Sequence, residues 1–187
     1  MRITDAATWL ASASLSARLP EGAARKIMDS DKYRNVMRHQ AGAVTIIAVG
    51  TPGQRTGLTA TAVCSLTDSP PMVIACVNRN ASAHAPIHSG QSFSINLLAS
   101  DQNELARRFS SKKLEGEARF DPETWDTLVT GAPMLKGAIA NLDCEVAQEH
   151  SFDTHTIFIG RVRDCRFRED VEPLLYFRGD FWDLKAR

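Results

Sequence analysis

From residue 43 onward the chain is a succession of short β-forming runs separated by turn residues, with no regular alternation of strand and helix. Ala43–Val49 is a buried-strand pattern closed by the turn Gly50-Thr51-Pro52-Gly53. Further strands are predicted over Met72–Val77, the alternating Phe93–Leu98, Ala138–Gln148, Thr154–Phe167 and Leu174–Phe177, the last three finishing the sheet. Helical patterning is confined to short pieces. Tyr33, Val36 and Met37 share one face of a helix that ends near Gln40 to Gly42, and Ala83–Ser89 is helical despite Pro86. Ser100 is a plausible N-cap for a helix carrying Asp101 and Glu104 early and running to Phe109. Residues 112–131 read as a long polar connection anchored by Trp125. Many strands and few helices predict a mainly-β chain, a closed antiparallel barrel with peripheral helices. No G-x-G-x-x-G follows a strand, which excludes a Rossmann domain.

A chain of 187 residues is expected to hold one domain, assigned to 31–187, preceded by a helical appendage over 1–30. Within the appendage Ala6–Leu15 is expected to form a weak helix and Pro20 to start another through Met28. Formal net charge is zero, so no global field favours nucleic acid or an anionic membrane surface. Arg107, Arg108, Lys112 and Lys113 form the one notable basic cluster, either a solvated face or an attraction for an anionic cofactor. Cys64, Cys76, Cys144 and Cys165 make no C-x-x-C pair and are read as buried reduced thiols. No run approaches a membrane span, and the Ser- and Ala-rich start, interrupted by Asp5, is not a signal-peptide pattern, so a cytoplasmic location is expected.

The stretch from Thr56 to Ile74 is unusual because it carries hydroxyls and small side chains but no charge between Thr56 and Thr67. Its plain interpretation is a Thr-rich edge strand, followed by a loop. A functional one is a surface on which a ligand can approach the backbone closely. Gly57-Leu58-Thr59-Ala60-Thr61-Ala62, then Cys64-Ser65-Leu66, Asp68, Pro70-Pro71 and the strand Val73 to Asn78, resembles the flavin reductase-like family. Asn78-Arg79-Asn80-Ala81-Ser82, Leu105 to Phe109, His155 to Gly160 and Pro173 to Gly179 follow in that family's order, so the resemblance runs from about Tyr33 to Trp182.

The resemblance implies an FMN-binding split barrel, an antiparallel, Greek-key-like β-barrel with peripheral helices. It also implies an NAD(P)H-dependent flavin reductase, the homodimeric small component of a two-component monooxygenase. Such an enzyme takes hydride from NADH or NADPH to FMN or FAD and supplies reduced flavin to a separate oxygenase that hydroxylates an aromatic compound. Carried over residue by residue, the flavin site comprises Leu58, Thr59, Ala60, Thr61, Cys64, Ser65, Leu66, Asn78, Arg79 and Ser82, with His84 as a possible contact. Arg79 suits phosphate pairing, and backbone N–H groups serve the ring edge. His155 matches a family histidine near the nicotinamide and is assigned the positioning of its carboxamide rather than proton transfer. Phe109 is either a core anchor or a cover over the cofactor, and Tyr176 and Arg178 match a segment near flavin or nicotinamide that could reach across a dimer.

The alternative function is a flavin carrier or redox sensor without turnover; a pyridoxamine-phosphate-oxidase-like enzyme shares the barrel but not these motifs. No metal is expected. His84 and His88 are four apart, yet Pro86 lies between them and no third ligand is close. Asn80-Ala81-Ser82 is a sequon without meaning in the cytoplasm, and His150, Asp153 and His155 lack the nucleophile of a hydrolase.

Overall fold

A computed structural model describes residues 28–184, so the two helices expected in the N-terminal appendage lie outside the described residues. The first element is the helix α1 (Ser30–Met37), whose N-cap Asp29 accepts the N–H of Asp31. It is followed by β1 (Gly42–Ala43), β2 (Thr45–Val49), β3 (Thr56–Ala60), β4 (Val63–Asp68) and β5 (Pro71–Asn78). Next come α2 (His84–Gly90), β6 (Ser92–Leu97), α3 (Asn103–Ser110), β7 (Trp125–Thr127) and β8 (Pro133–Leu135). The chain closes with the long hairpin β9 (Ala140–Phe152) and β10 (His155–Phe167), then β11 (Leu174–Phe177) and β12 (Asp180–Asp183).

Seven strands form one antiparallel sheet in the order β3-β2-β6-β9-β10-β5-β4. Its two outermost strands, β3 and β4, are joined by only Thr61 and Ala62. Strands that close in sequence can occupy opposite edges only if the sheet curls until those edges meet, so the sheet is a barrel. Beyond the corner at Thr61-Ala62 the edges diverge, leaving a split. The fold is therefore mainly β, an antiparallel split barrel with peripheral helices.

Alternation along β2 divides the core in two. Ile47 and Val49 point into the barrel with Ala75, Val77, Phe93, Ile95 and Phe158, and Ile87 of α2 plugs one end. Ile46 and Ala48 point outward, beneath α3 and an aromatic trio. In that trio Phe109 lies 5.0 Å from Phe120 and 5.6 Å from Trp125, ring centre to ring centre. Gly160 makes room for the interior: a Cβ there would sit 2.7 Å from the Phe93 ring and 3.0 Å from Cys144 Cβ. Buried polar groups pin the layers together. Asn96 donates to Ile46 O (3.0 Å), and its Oδ1 accepts from Leu135 N (2.8 Å) and Asn141 Nδ2 (2.6 Å).

Several expectations need correction. The Thr/Ser stretch is two strands rather than a strand and a loop, because its small residues permit the turn at Thr61-Ala62. Ser100 does not cap α3. It lies in a 3₁₀ turn (Ser100–Gln102) that precedes the helix, and Gln102 Oε1 accepts the Ala99 N–H at 2.9 Å instead. Residues 112–131 are not a plain connection: they hold the 3₁₀ turn Gly116–Arg119 and β7, which pairs with β8, and Trp125 does anchor them in the core. β11 does not finish the main sheet but joins β1 and the unforeseen β12 in a small one. Of the four cysteines, all free, only Cys144 is buried.

Replacing Gly160 by Ala is expected to overpack the barrel against Phe93 and to lower stability by about 1–3 kcal/mol. Urea unfolding checks this; an unchanged midpoint would mean the Phe93 ring relaxes freely.

Candidate functional site

The split is bounded by one edge of β3 and the free end of β5. At the corner Cys76 N–H donates to Ala62 O at 2.9 Å. At the other end the hydroxyls of Thr56 and Ser82 meet at 2.8 Å. Between these ties the chain from Thr56 to Ala62 runs six residue steps, about 20 Å when extended. The split is floored by the partly buried Leu58, Ala60 and Ala81.

β3 is an edge strand, and its position is fixed from three directions. Thr45 Oγ1 donates to Ala60 O (2.8 Å) from β2, and Thr59 Oγ1 donates to Ala106 O (2.7 Å) on α3. From the third side the Gly116–Arg119 turn clasps the strand's entry. The buried guanidinium of Arg119 donates to Gly57 O (2.6 Å), Leu114 O (2.7 Å) and Ser111 O (2.8 Å). Glu117 accepts from Arg55 N (2.8 Å) and Nε (2.9 Å), while Arg55 lies 4.7 Å over the Phe120 ring. Gly57 is required here, since a Cβ would come 2.8 Å from Ile47 O and 3.0 Å from Phe109. With Gly57 O turned outward to Arg119, strand alternation turns the N–H and C=O of Thr59 to the same edge. These groups face the split and suit the edge of a planar heterocycle.

The structure sorts the sequence-predicted residues into three groups. Thr59, Ala60 and Thr61 line a groove of 360 Å³ together with Arg107 and Ser110 of α3 and Tyr176 of β11. Thr61 also borders a second recess of 400 Å³, on the α1 side, that holds Cys64 and Cys76. A third cluster gathers at the Ser82 end. There Asn78 faces His155 in the β5–β10 register, Arg79 N–H donates to Thr154 O (2.9 Å), and the exposed Arg79 side chain reaches toward Asp153 O. His155 is exposed, its Nδ1 2.8 Å from Thr154 Oγ1, which leaves Nε2 to face outward.

Other predicted residues sit less centrally. His84 is half-buried, with Nε2 2.8 Å from Thr156 Oγ1 and its ring against Phe158; burial first, then Arg79, pushes its pKa down. Ser65 and Leu66 run away from the corner along β4, on its exposed part. Arg178 occupies the β11–β12 turn in left-handed backbone (φ 53), donates its N–H to Arg38 O (2.7 Å) and stacks its guanidinium over Phe177. Phe109 is only 2% exposed, beneath Gly57 and against Phe120, which is the core-anchor placement and leaves no ring face to cover a cofactor. Among the described residues no group of three or more His, Cys, Asp or Glu could hold a metal ion.

Arg119, Glu117 and Thr56 were not singled out from sequence as site residues, whereas Arg107 was noted only as part of the basic cluster that could attract an anionic cofactor. The first two lie in a polar stretch without periodicity, where only Phe120 and Trp125 signal that the chain packs back on the barrel.

The arrangement has close counterparts. Residues 37–185 match the family model described as flavin reductase like domain. The chain is 38% identical over 169 residues to FMN reductase (NADH) RutF of Pantoea ananatis, covering 88% of each chain. It is 35% identical over 155 residues to the 4-hydroxyphenylacetate 3-monooxygenase reductase component of Pseudomonas aeruginosa, covering 82% of this chain and 91% of that one. Among solved structures, NADH:FAD oxidoreductase SgcE6 of Streptomyces globisporus in complex with NAD and FAD fragments superposes with a TM-score of 0.77 at 29% identity, covering 84% of this chain and 93% of that one.

Hydrogen bonds from the Arg55 side chain, reinforced by backbone N–H groups, hold the Glu117 carboxyl below the usual carboxylate range despite opposing desolvation. A depressed folded-state pKa contributes stability above the unfolded value, and that stability is lost as pH falls through the folded one. The melting temperature of the wild type is therefore expected to fall more steeply than that of Glu117→Gln as pH drops from neutral to about 3. Parallel acid profiles would show that the clasp adds no pH-dependent stability.

Proposed function

The chain belongs to the flavin reductase-like domain family, and from that premise we propose that it is an NAD(P)H:flavin oxidoreductase. It takes hydride from NADH or NADPH to FMN or FAD and hands the reduced flavin to a separate, flavin-dependent oxygenase. The observation that carries this reading is the outward-facing His155 imidazole, opposite Asn78, at the end of a split whose other wall offers the backbone edge of Thr59.

The residues fit a flavin nucleotide on structural grounds. The free N–H and C=O of Thr59 match the polar edge of the ring, and Ala60 and Ala62 are small enough for the ring to approach the backbone. Arg79 and Ser82, both exposed at the opposite end, suit the phosphate. When bound, the flavin supplies the hydride acceptor at its N5. The chain's own task is to hold donor and acceptor stacked in attack geometry. His155 serves that task by hydrogen-bonding the donor's carboxamide, with Thr154 fixing the ring's rotation. Proton transfer is not required of it.

The names of the relatives support NADH as donor and a flavin shared with an oxygenase, and the Pseudomonas relative favours an aromatic substrate for that oxygenase. A homodimer is part of the proposal. α1 buries none of its side chains and exposes Tyr33, Val36 and Met37, a face suited to a second copy. A supply of reduced nicotinamide implies the cytoplasm. A carrier or sensor would have no use for the exposed imidazole of His155.

The decisive experiment follows loss of the dihydronicotinamide absorbance with FMN or FAD added in turn. Oxidation that rises with free flavin is the expected result; flavin binding without oxidation of NADH or NADPH would leave the carrier. His155→Ala is expected to raise KM for NADH about tenfold while flavin affinity stays within twofold, the loss of roughly one hydrogen bond. Unchanged turnover at low NADH would remove the positioning role.

A further inference from the structure

The basic cluster at the end of α3 has one member in a built site. Arg107 lies in the last turn of α3, where the helix terminus favours a cation. Its guanidinium stands 4.9 Å over the Phe181 ring and 3.6 Å from the Asp180 carboxylate, reaching from α3 to the β11–β12 hairpin across the 360 Å³ groove. Asp180 is the one carboxylate among the groove's lining residues; the remaining polar side chains there are the hydroxyls of Thr59, Thr61, Ser110 and Tyr176. Thr59 is already committed to Ala106 O, and Ser110 donates to Arg107 O at 3.0 Å, a bond its hydroxyl exchanges by rotating toward an anion. Both members of the ion pair are more than half exposed, at 57% and 72% for their side chains. A pair of that kind contributes little, so a stronger anion can take the guanidinium from Asp180 at little cost. Arg108, Lys112 and Lys113 are exposed on the same stretch and keep the approach positive.

The groove and the Arg79–Ser82 cluster lie toward opposite ends of β3, with Thr59, the nearest groove residue on that strand, about 10 Å from Thr56. A flavin whose phosphate meets Arg79 therefore lays its ring against the Thr59 edge and leaves the groove clear of that phosphate. A second anion site there fits a donor that lies along the ring and carries phosphates of its own. We propose that Arg107, with Ser110 and Thr61, binds a phosphate of the hydride donor's dinucleotide in this groove, and that Asp180 is the placeholder which the phosphate displaces. This assignment rests on the reductase reading and adds to it a determinant of donor affinity separate from His155.

The test uses the full chain and measures KM for NADH, together with dissociation constants for NADH without flavin and for FMN and riboflavin without NADH. Arg107→Gln is expected to weaken NADH by about tenfold in both KM and dissociation constant, with flavin affinities unchanged. Arg107→Lys should recover part of that loss, and Asp180→Asn should tighten NADH, because the competing charge is gone while the hydrogen bond to Phe181 N is kept. Unchanged NADH affinity in Arg107→Gln would overturn the proposal. So would a loss of FMN affinity that spares riboflavin and NADH, since the groove would then serve the flavin phosphate. A wild type that binds NADH but never oxidises it would defeat the reductase reading alone, and the Arg107 effect would still be read from NADH binding.

Discussion

The structure depends on a topological constraint: β3 and β4 are consecutive in the chain, two residues apart, and yet form opposite edges of one seven-stranded sheet. That link forces closure, and closure decides which residues are interior, because β2 can serve two cores only while its alternate side chains face inside and outside a barrel. It also leaves the edges of β3 and β5 without strand partners just where they diverge. An open backbone edge is a liability in most proteins. Here it is walled by small residues and hydroxyls, and it is the edge at which the proposed function places the flavin ring.

Holding an edge strand still without a neighbour on one side takes polar contacts from elsewhere. Arg119 satisfies three backbone carbonyls, and so fixes Gly57 at the start of the strand. Arg55 and Glu117 secure the residue before it, and Phe120 lies beneath the Arg55 guanidinium. The turn that carries these groups is itself anchored by packing of Phe120 and Trp125 against Phe109. Aromatic packing thus positions the ionic clasp, and the clasp positions the strand that faces the split.

Much of this was legible in the sequence. Most of the long strands from Ala43 onward, the short helices and the barrel class follow from periodicity, and the ordered motifs from Gly57 to Gly179 identify the family. What escaped has physical reasons. Residues 112–131 are polar because they clasp an edge rather than fill a core, so their charge pattern looks like a solvated loop. β12 follows β11 through Arg178-Gly179 in left-handed backbone, a turn too short to stand out beside stronger signals. Phe109 could be read as core or as cofactor cover from its place at a helix end, and its placement depended on Gly57, far away in sequence. His84 has the same lesson: it is near the candidate site, but its Nε2 is already engaged by Thr156.

The ties at the two ends of the split have a kinetic meaning. Residues 56–62, the Ala62–Cys76 hydrogen bond, residues 76–82 and the Thr56–Ser82 contact make a closed ring of chain. A ring tied at both ends resists opening as a jaw does. A flavin would pass in and out through its open face, and its residence time would be set by the contacts it makes rather than by the rate at which a lid moves. If the flavin is handed on as proposed, such a site can keep its exchange rate through small changes of contact strength, with no conformational cycle to maintain.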